Sequence, residues 1–108
     1  MSRRSQQRLA DIAAAIAAIH GHLERGDLSD GLVYDAVRAR LIEIGEAVKH
    51  IDPPLLDSES SVDWRGIAGM RDFLAHRYFD TEHAVVQHAV SVELPLLGAA
   101  IERIVEQA

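Results

Sequence analysis

Apolar residues recur along the chain at three- and four-residue steps, the spacing that lines one face of a helix. Leu9, Ile12, Ala13, Ile16, Ile19 and Leu23 mark such a face over about residues 5–24, with Gly26 just past its end. Val33, Val37, Leu41, Ile44, Val48 and Ile51 alternate steps of four and three, a seam shaped for another helix. That seam predicts a second helix over about residues 30–51. Ser29 or Asp30 can cap its first amides, and Pro53-Pro54 should end it. Residues 52–63 read as a loop, closed by Asp63 as the cap of a third helix that begins at Trp64. Ile67, Met70, Phe73 and Leu74 share a face of that helix, which leaves Arg71 and Asp72 near the boundary of its buried side. A fourth helix is predicted from Thr81 through the run Glu82 to Gln107, kinked or restarted near Leu94 because Pro95 lacks an amide. The expected architecture is all-α, a four-to-five-helix up-and-down bundle with its last helix kinked near Pro95, built as one domain over residues 1–108.

Composition supports that class. Hydrophobic residues make up 48% of the chain but aromatics only 5%, so Ala, Leu, Ile and Val must build the interior, which favours helices over sheets. There is no cysteine, no basic-then-apolar leader and, on this reading, no apolar run long enough to cross a bilayer. The expectation is a cytoplasmic protein with neither disulfides nor a membrane anchor. A net charge of −6 argues against gripping nucleic acid over the whole surface by counterion release, so any such contact must be local.

One window carries the chemistry. Residues 70–80, Met-Arg-Asp-Phe-Leu-Ala-His-Arg-Tyr-Phe-Asp, bring together a permanent cation, Arg71, a titratable base, His76, and a phenol, Tyr78. An imidazole takes and returns a proton near neutral pH, whereas a guanidinium holds a phosphate through paired hydrogen bonds and keeps its charge. The combination suits phosphodiester chemistry. On an ideal helix Arg71 and His76 lie roughly 140° apart, so one straight helix cannot converge them. Either the helix breaks before His76, or a second copy of the chain completes the site across a two-fold axis, and a dimer cleft is the expectation. If the helix continued, Tyr78 would lie only about 20° out of line with Arg71. Asp72 stands one turn below His76 and can accept its hydrogen bond, which would orient the ring, or can merely solvate the surface beside Arg77.

The window resembles the HEPN superfamily, and within it the HepT-like toxins, whose motif is Arg, four residues, His, one residue, then Tyr. Arg71, His76 and Tyr78 match it. Arg40-Leu41-Ile42-Glu43-Ile44-Gly45-Glu46-Ala47 is similar to the family's second-helix signature, as is Val62-Asp63-Trp64 ahead of the motif helix, so the resemblance covers nearly the whole chain. Where the family usually has a polar residue such as Asn after the arginine, this chain has Asp72. The resemblance implies a homodimeric, metal-independent endoribonuclease, the toxin of a type VII toxin–antitoxin pair. It also implies an MNT-type nucleotidyltransferase antitoxin, which silences the toxin by adding AMP to the motif tyrosine, here Tyr78. Arg71 and His76 would be catalytic, the substrate RNA, and no cofactor or metal required.

Other readings stand beside this one. A lone Arg, His or Tyr on a helix usually solvates the surface or edges the core, and only the joint spacing argues for catalysis. The same bundle could be a noncatalytic module that docks a nucleotidyltransferase or a nucleotide, with Arg71 holding phosphate and His76 packed as a donor. It could also be a dimerisation domain whose seams are covered by partner helices. Arg38, Arg40 and Lys49 can be ordinary solvated charges, a basic pocket forming only on folding, and Glu43 or Glu46 could orient Arg71, although exposed helix carboxylates are far commoner. Gly45 reads as a point of close helix packing. His83 and His88 lack the spacing of a metal pair on one helix face.

Overall fold

The computed structural model describes residues 1–76 and 79–107, residues 79–81 by their backbone alone, and the described residues form helices with no strand. Helix α1 spans Arg3–Arg25, α2 Gly31–Val48, α3 Pro53–Asp57, α4 Trp64–Ala75, α5 Phe79–His88 and α6 Leu94–Gln107, with a π-helical turn, Ala89–Glu93, joining α5 to α6.

Short polar side chains start the helices. Ser2 accepts the Ser5 amide at the head of α1, Asp30 accepts the amides of Leu32 and Val33 at the head of α2, and Asp63 accepts that of Gly66 in α4. Of the two candidates for the second cap, Asp30 is therefore the one used. The π turn lies where Pro95 withholds the amide that an α-helix would pair with the Ser91 carbonyl, and the kink expected near Leu94 takes this widened form.

The predicted seam of α2 is buried throughout, from Val33 to Ile51. Helix α2 packs against α1 on one side and α4 on the other, while α6 closes on α1. In α1, Leu9, Ile12 and Ile19 turn inward as expected, but Ala13 is exposed and Ser5 and Ala15 are buried in its stead. Ser5 is buried because it has work there: its hydroxyl accepts the Asp52 amide at 3.0 Å and ties the start of α1 to the approach of α3.

Three expectations need correction. Helix α2 ends at Val48, three residues early, although Ile51 remains buried in the turn beyond it. Pro53 does not simply stop a helix: it opens α3 inside the expected loop, since a first-turn proline lacks only an amide that would have no helical partner. By length and composition, Glu82–Gln107 is apolar enough to cross a membrane, contrary to the sequence reading. Its Val86, Leu94, Leu97, Ile101 and Ile104 are nonetheless buried in the bundle, one inward face of an amphipathic helix.

Candidate active site

The turn of α4 that carries Arg71 is pressed against α2. A Cβ added at Gly45 would fall 2.8 Å from the Arg71 Cβ, 2.9 Å from the Ile67 carbonyl oxygen and 3.1 Å from the Arg71 amide nitrogen. Glycine at that point permits the close approach that the sequence suggested, and the approach holds the root of the Arg71 side chain. The guanidinium then reaches outward. Its Nε lies 3.3 Å from Glu46 Oε2 and its Nη1 donates to Asp72 Oδ1 at 3.0 Å. Of the two glutamates considered, Glu46 is the one that engages Arg71, while Glu43 takes both its bonds from Arg40 on its own helix.

Lys49 stands 3.5 Å from the same Asp72 oxygen. The hydrogen bond from Arg71, and then the charge of Lys49, hold the Asp72 carboxyl below its ordinary value. Glu46 also faces His50, whose Nε2 lies 3.3 Å from its Oε1. Arg4 approaches the other ring nitrogen of His50 at 3.0 Å, and because arginine can only donate, the hydrogen of a neutral His50 sits on Nε2 and is given to Glu46. Arg71 thus belongs to a network that runs from the head of α1 through α2 to α4.

His76 ends α4. With φ −87° and ψ −5° it is the residue after the last helical position, and its amide is bonded to the carbonyls of Asp72 and Leu74. The helix therefore stops at His76, and the projection that placed Tyr78 above Arg71 on a continuous helix does not apply. Tyr78 and Arg77 lie outside the described residues. The His76 ring bonds through Nδ1 to the backbone carbonyl of Asp72. A carbonyl only accepts, so Nδ1 carries the hydrogen and the lone pair of the neutral ring resides on Nε2, the form required of a general base.

Asp72 is consequently the hinge of the site. Its carboxylate holds Arg71, while its main-chain oxygen accepts from the His76 ring; of the two sequence alternatives for Asp72, a bond to His76 is thus present through the backbone. Beside this turn a groove of about 720 Å³ runs between α1 and α2, with Arg8, Arg40 and Arg71 along it. Each of these arginines has a carboxylate partner that also lines the groove, Asp11, Glu43 and Glu46 respectively, so the groove is densely charged yet balanced in sign. Among the described residues no cluster of three or more His, Asp or Glu could hold a metal ion. His83 instead bonds the Leu28 carbonyl at 3.1 Å, and its ring stacks on Tyr34.

One pair was not foreseen. Arg38, expected at the surface, is buried on α2, where it binds Glu82 of α5 and the Leu74 carbonyl of α4. The available signal was its place in the helix: Arg38 flanks the Val37–Leu41 step of the apolar seam, where a long side chain is drawn inward if a partner waits there. The partner came from a distant segment and could not be read locally.

The fold is an all-α bundle of the HEPN type in which Arg71 and His76, near the end of α4, both bond to Asp72. Compared with known proteins, residues 9–104 match the family model described as ribonuclease HepT-like. The "Probable ribonuclease HepT" of Thermococcus cleftensis is 32% identical over 96% of this chain and 98% of its own length. "Putative RNase TTE0752" of Caldanaerobacter subterraneus is 36% identical over 59% of this chain, and "Putative RNase MJ1216" of Methanocaldococcus jannaschii is 34% identical over 68%. These two alignments cover 57% and 60% of the relatives, so the chain spans little more than half of their length. No solved structure matches the chain at a significant level. The chain belongs to the HepT-like ribonuclease family.

Proposed function

We propose that this chain is a metal-independent endoribonuclease of the cytoplasm and the toxin of a toxin–antitoxin pair. In this reading it acts as a homodimer in which Arg71 and His76 of both copies face one cleft. The observation that carries the proposal is the His76 ring, held through Nδ1 by the Asp72 carbonyl while the Asp72 carboxylate holds Arg71. Membership in a ribonuclease family supports the choice of RNA as substrate.

Nε2 of His76 takes the proton of a ribose 2′-hydroxyl, whose oxygen attacks the adjacent phosphorus. The bond from phosphorus to the 5′-oxygen breaks as that oxygen receives a proton from an imidazolium, leaving a cyclic phosphate and a free 5′-hydroxyl. One imidazole cannot be base and acid in the same step, and a two-fold axis supplies the second. Arg71, with its side chain 42% exposed, exchanges Glu46 and Asp72 for phosphoryl oxygens and stabilises the charge that builds there. Silencing is proposed from the motif, in which Tyr78 stands two residues beyond His76 in the sequence. A phenol is a competent nucleophile toward an activated α-phosphate, so an MNT-type nucleotidyltransferase with magnesium and ATP would place AMP on Tyr78 and release pyrophosphate. The attached anion would occupy Arg71 and repel RNA.

Purified protein should cut RNA in the presence of a chelator, and His76→Ala should abolish cutting while the dimer persists in sedimentation. Cleavage by His76→Ala at the wild-type rate rejects the assignment. Nucleotide binding without any cleavage by the wild type selects the noncatalytic module instead. Incubation with the cognate transferase and ATP should add the mass of AMP at Tyr78, and an unmodified Tyr78 refutes the silencing scheme.

A further inference from the structure

The corner between α4 and α5 carries His76, and a single buried guanidinium grips both of its sides. Arg38 reaches from α2 with its Nε 2.5 Å from Glu82 Oε1 and its Nη2 bonded to the Leu74 carbonyl. The side chains of Arg38 and Glu82 are 11% and 6% exposed. The Leu74 carbonyl is one of the α4 terminal acceptors that lack a helical partner, and it also receives the His76 amide. Arg38 is therefore one hydrogen-bonded carbonyl away from the backbone of His76. On the far side of the corner Glu82 lies in the opening turns of α5, and the adjacent His83 anchors the same segment through the Leu28 carbonyl and the Tyr34 ring.

We propose that Arg38 and Glu82 are positioning residues for His76, a clamp that fixes where α4 stops and where α5 resumes and so sets the aim of the imidazole. A buried ion pair is a poor device for stability alone, because well-packed apolar residues of similar volume often serve as well or better. What apolar residues cannot supply is a directional bond to one chosen carbonyl. The fork of an arginine can grip a carboxylate and a carbonyl at once, and here those two acceptors belong to the two segments that the corner joins.

The catalytic consequence rests on the ribonuclease reading, whereas the positioning itself does not, and the test separates them. The double variant Arg38→Met with Glu82→Leu removes both charges and keeps the volume. It should fold and dimerise as the wild type does, keep KM for RNA, and lose kcat by about 10²-fold. Nitrogen NMR of its His76 ring should change from the single Nδ1-protonated tautomer to a mixture. Arg38→Lys keeps the charge but cannot bond both acceptors in the same fork, and it should lose about tenfold in kcat with a smaller spectral change. A folded double variant with wild-type kcat and an unchanged His76 spectrum overturns the clamp. If the double variant does not fold, Arg38→Lys decides by the same two readings. If the wild type cuts no RNA, the ribonuclease reading fails and the His76 spectrum alone judges the clamp.

Discussion

Two arginine–glutamate pairs join α2 to the segments around the motif, and they are built in opposite ways. Arg71 and Glu46 meet at 3.3 Å with 42% and 47% of their side chains exposed. Arg38 and Glu82 meet at 2.5 Å almost out of solvent. An exposed pair gains little because water competes for both charges, typically about 0–1 kcal/mol, and it can be traded for another anion. A buried pair has no water to fall back on, so removing one partner strands a charge at a cost of about 3–5 kcal/mol. The exchangeable pair is thus the one at which the proposed mechanism has a guanidinium accept a phosphate, and the fixed pair is the one proposed to position His76.

The largest effect that would test this contrast is Arg38→Ala. Chemical denaturation should show a loss of about 3–5 kcal/mol, and a loss below about 1 kcal/mol would erase the distinction between the pairs. Gly45→Ala comes next, because the added methyl meets the Arg71 Cβ and the Ile67 carbonyl at the distances given above, with backbone on one side that cannot give way. Overpacking of this kind should destabilise by about 1–3 kcal/mol and, through the displaced Arg71, slow RNA cleavage more than it weakens the fold. Unfolding curves and cleavage rates measured on one preparation would separate the two effects.

Glu46→Gln should change stability by no more than about 1 kcal/mol, and that change should shrink further in high salt, whereas any salt-insensitive loss would place Glu46 with the buried pair. Asp72→Asn should be smallest. Because the folded state lowers the Asp72 pKa, its stabilisation is present above the unfolded value near about 4 and is lost as pH falls through the lower native value. The difference in stability between wild type and Asp72→Asn should therefore be constant near neutrality and vanish in acid. A difference that grows on acidification would contradict the bond to Arg71, and acid-titrated thermal melts would reveal it.

Much of the frame was legible because it is local. The seam from Val33 to Ile51 has helical spacing whatever surrounds it, and a short acid before a helix, as at Asp30 and Asp63, satisfies amides within three residues. The Arg71, His76 and Tyr78 spacing likewise required no coordinates to single it out. Less was legible where proline acts on its neighbours: Pro53 was read as a stop although it opens α3, since its fixed φ suits a first turn as well as an end.

What only the tertiary structure decided are the contacts between segments far apart in the chain. Nothing near Arg38 announces Glu82 or the Leu74 carbonyl, and which of Glu43 and Glu46 meets Arg71 is decided only once α4 has packed against α2 at Gly45. The division between them has the same origin. The sequence by itself determined which residues are charged and which faces are apolar, but whether a charge meets water or a partner depends on how much solvent the fold excludes around it, and that is a property of the assembled bundle.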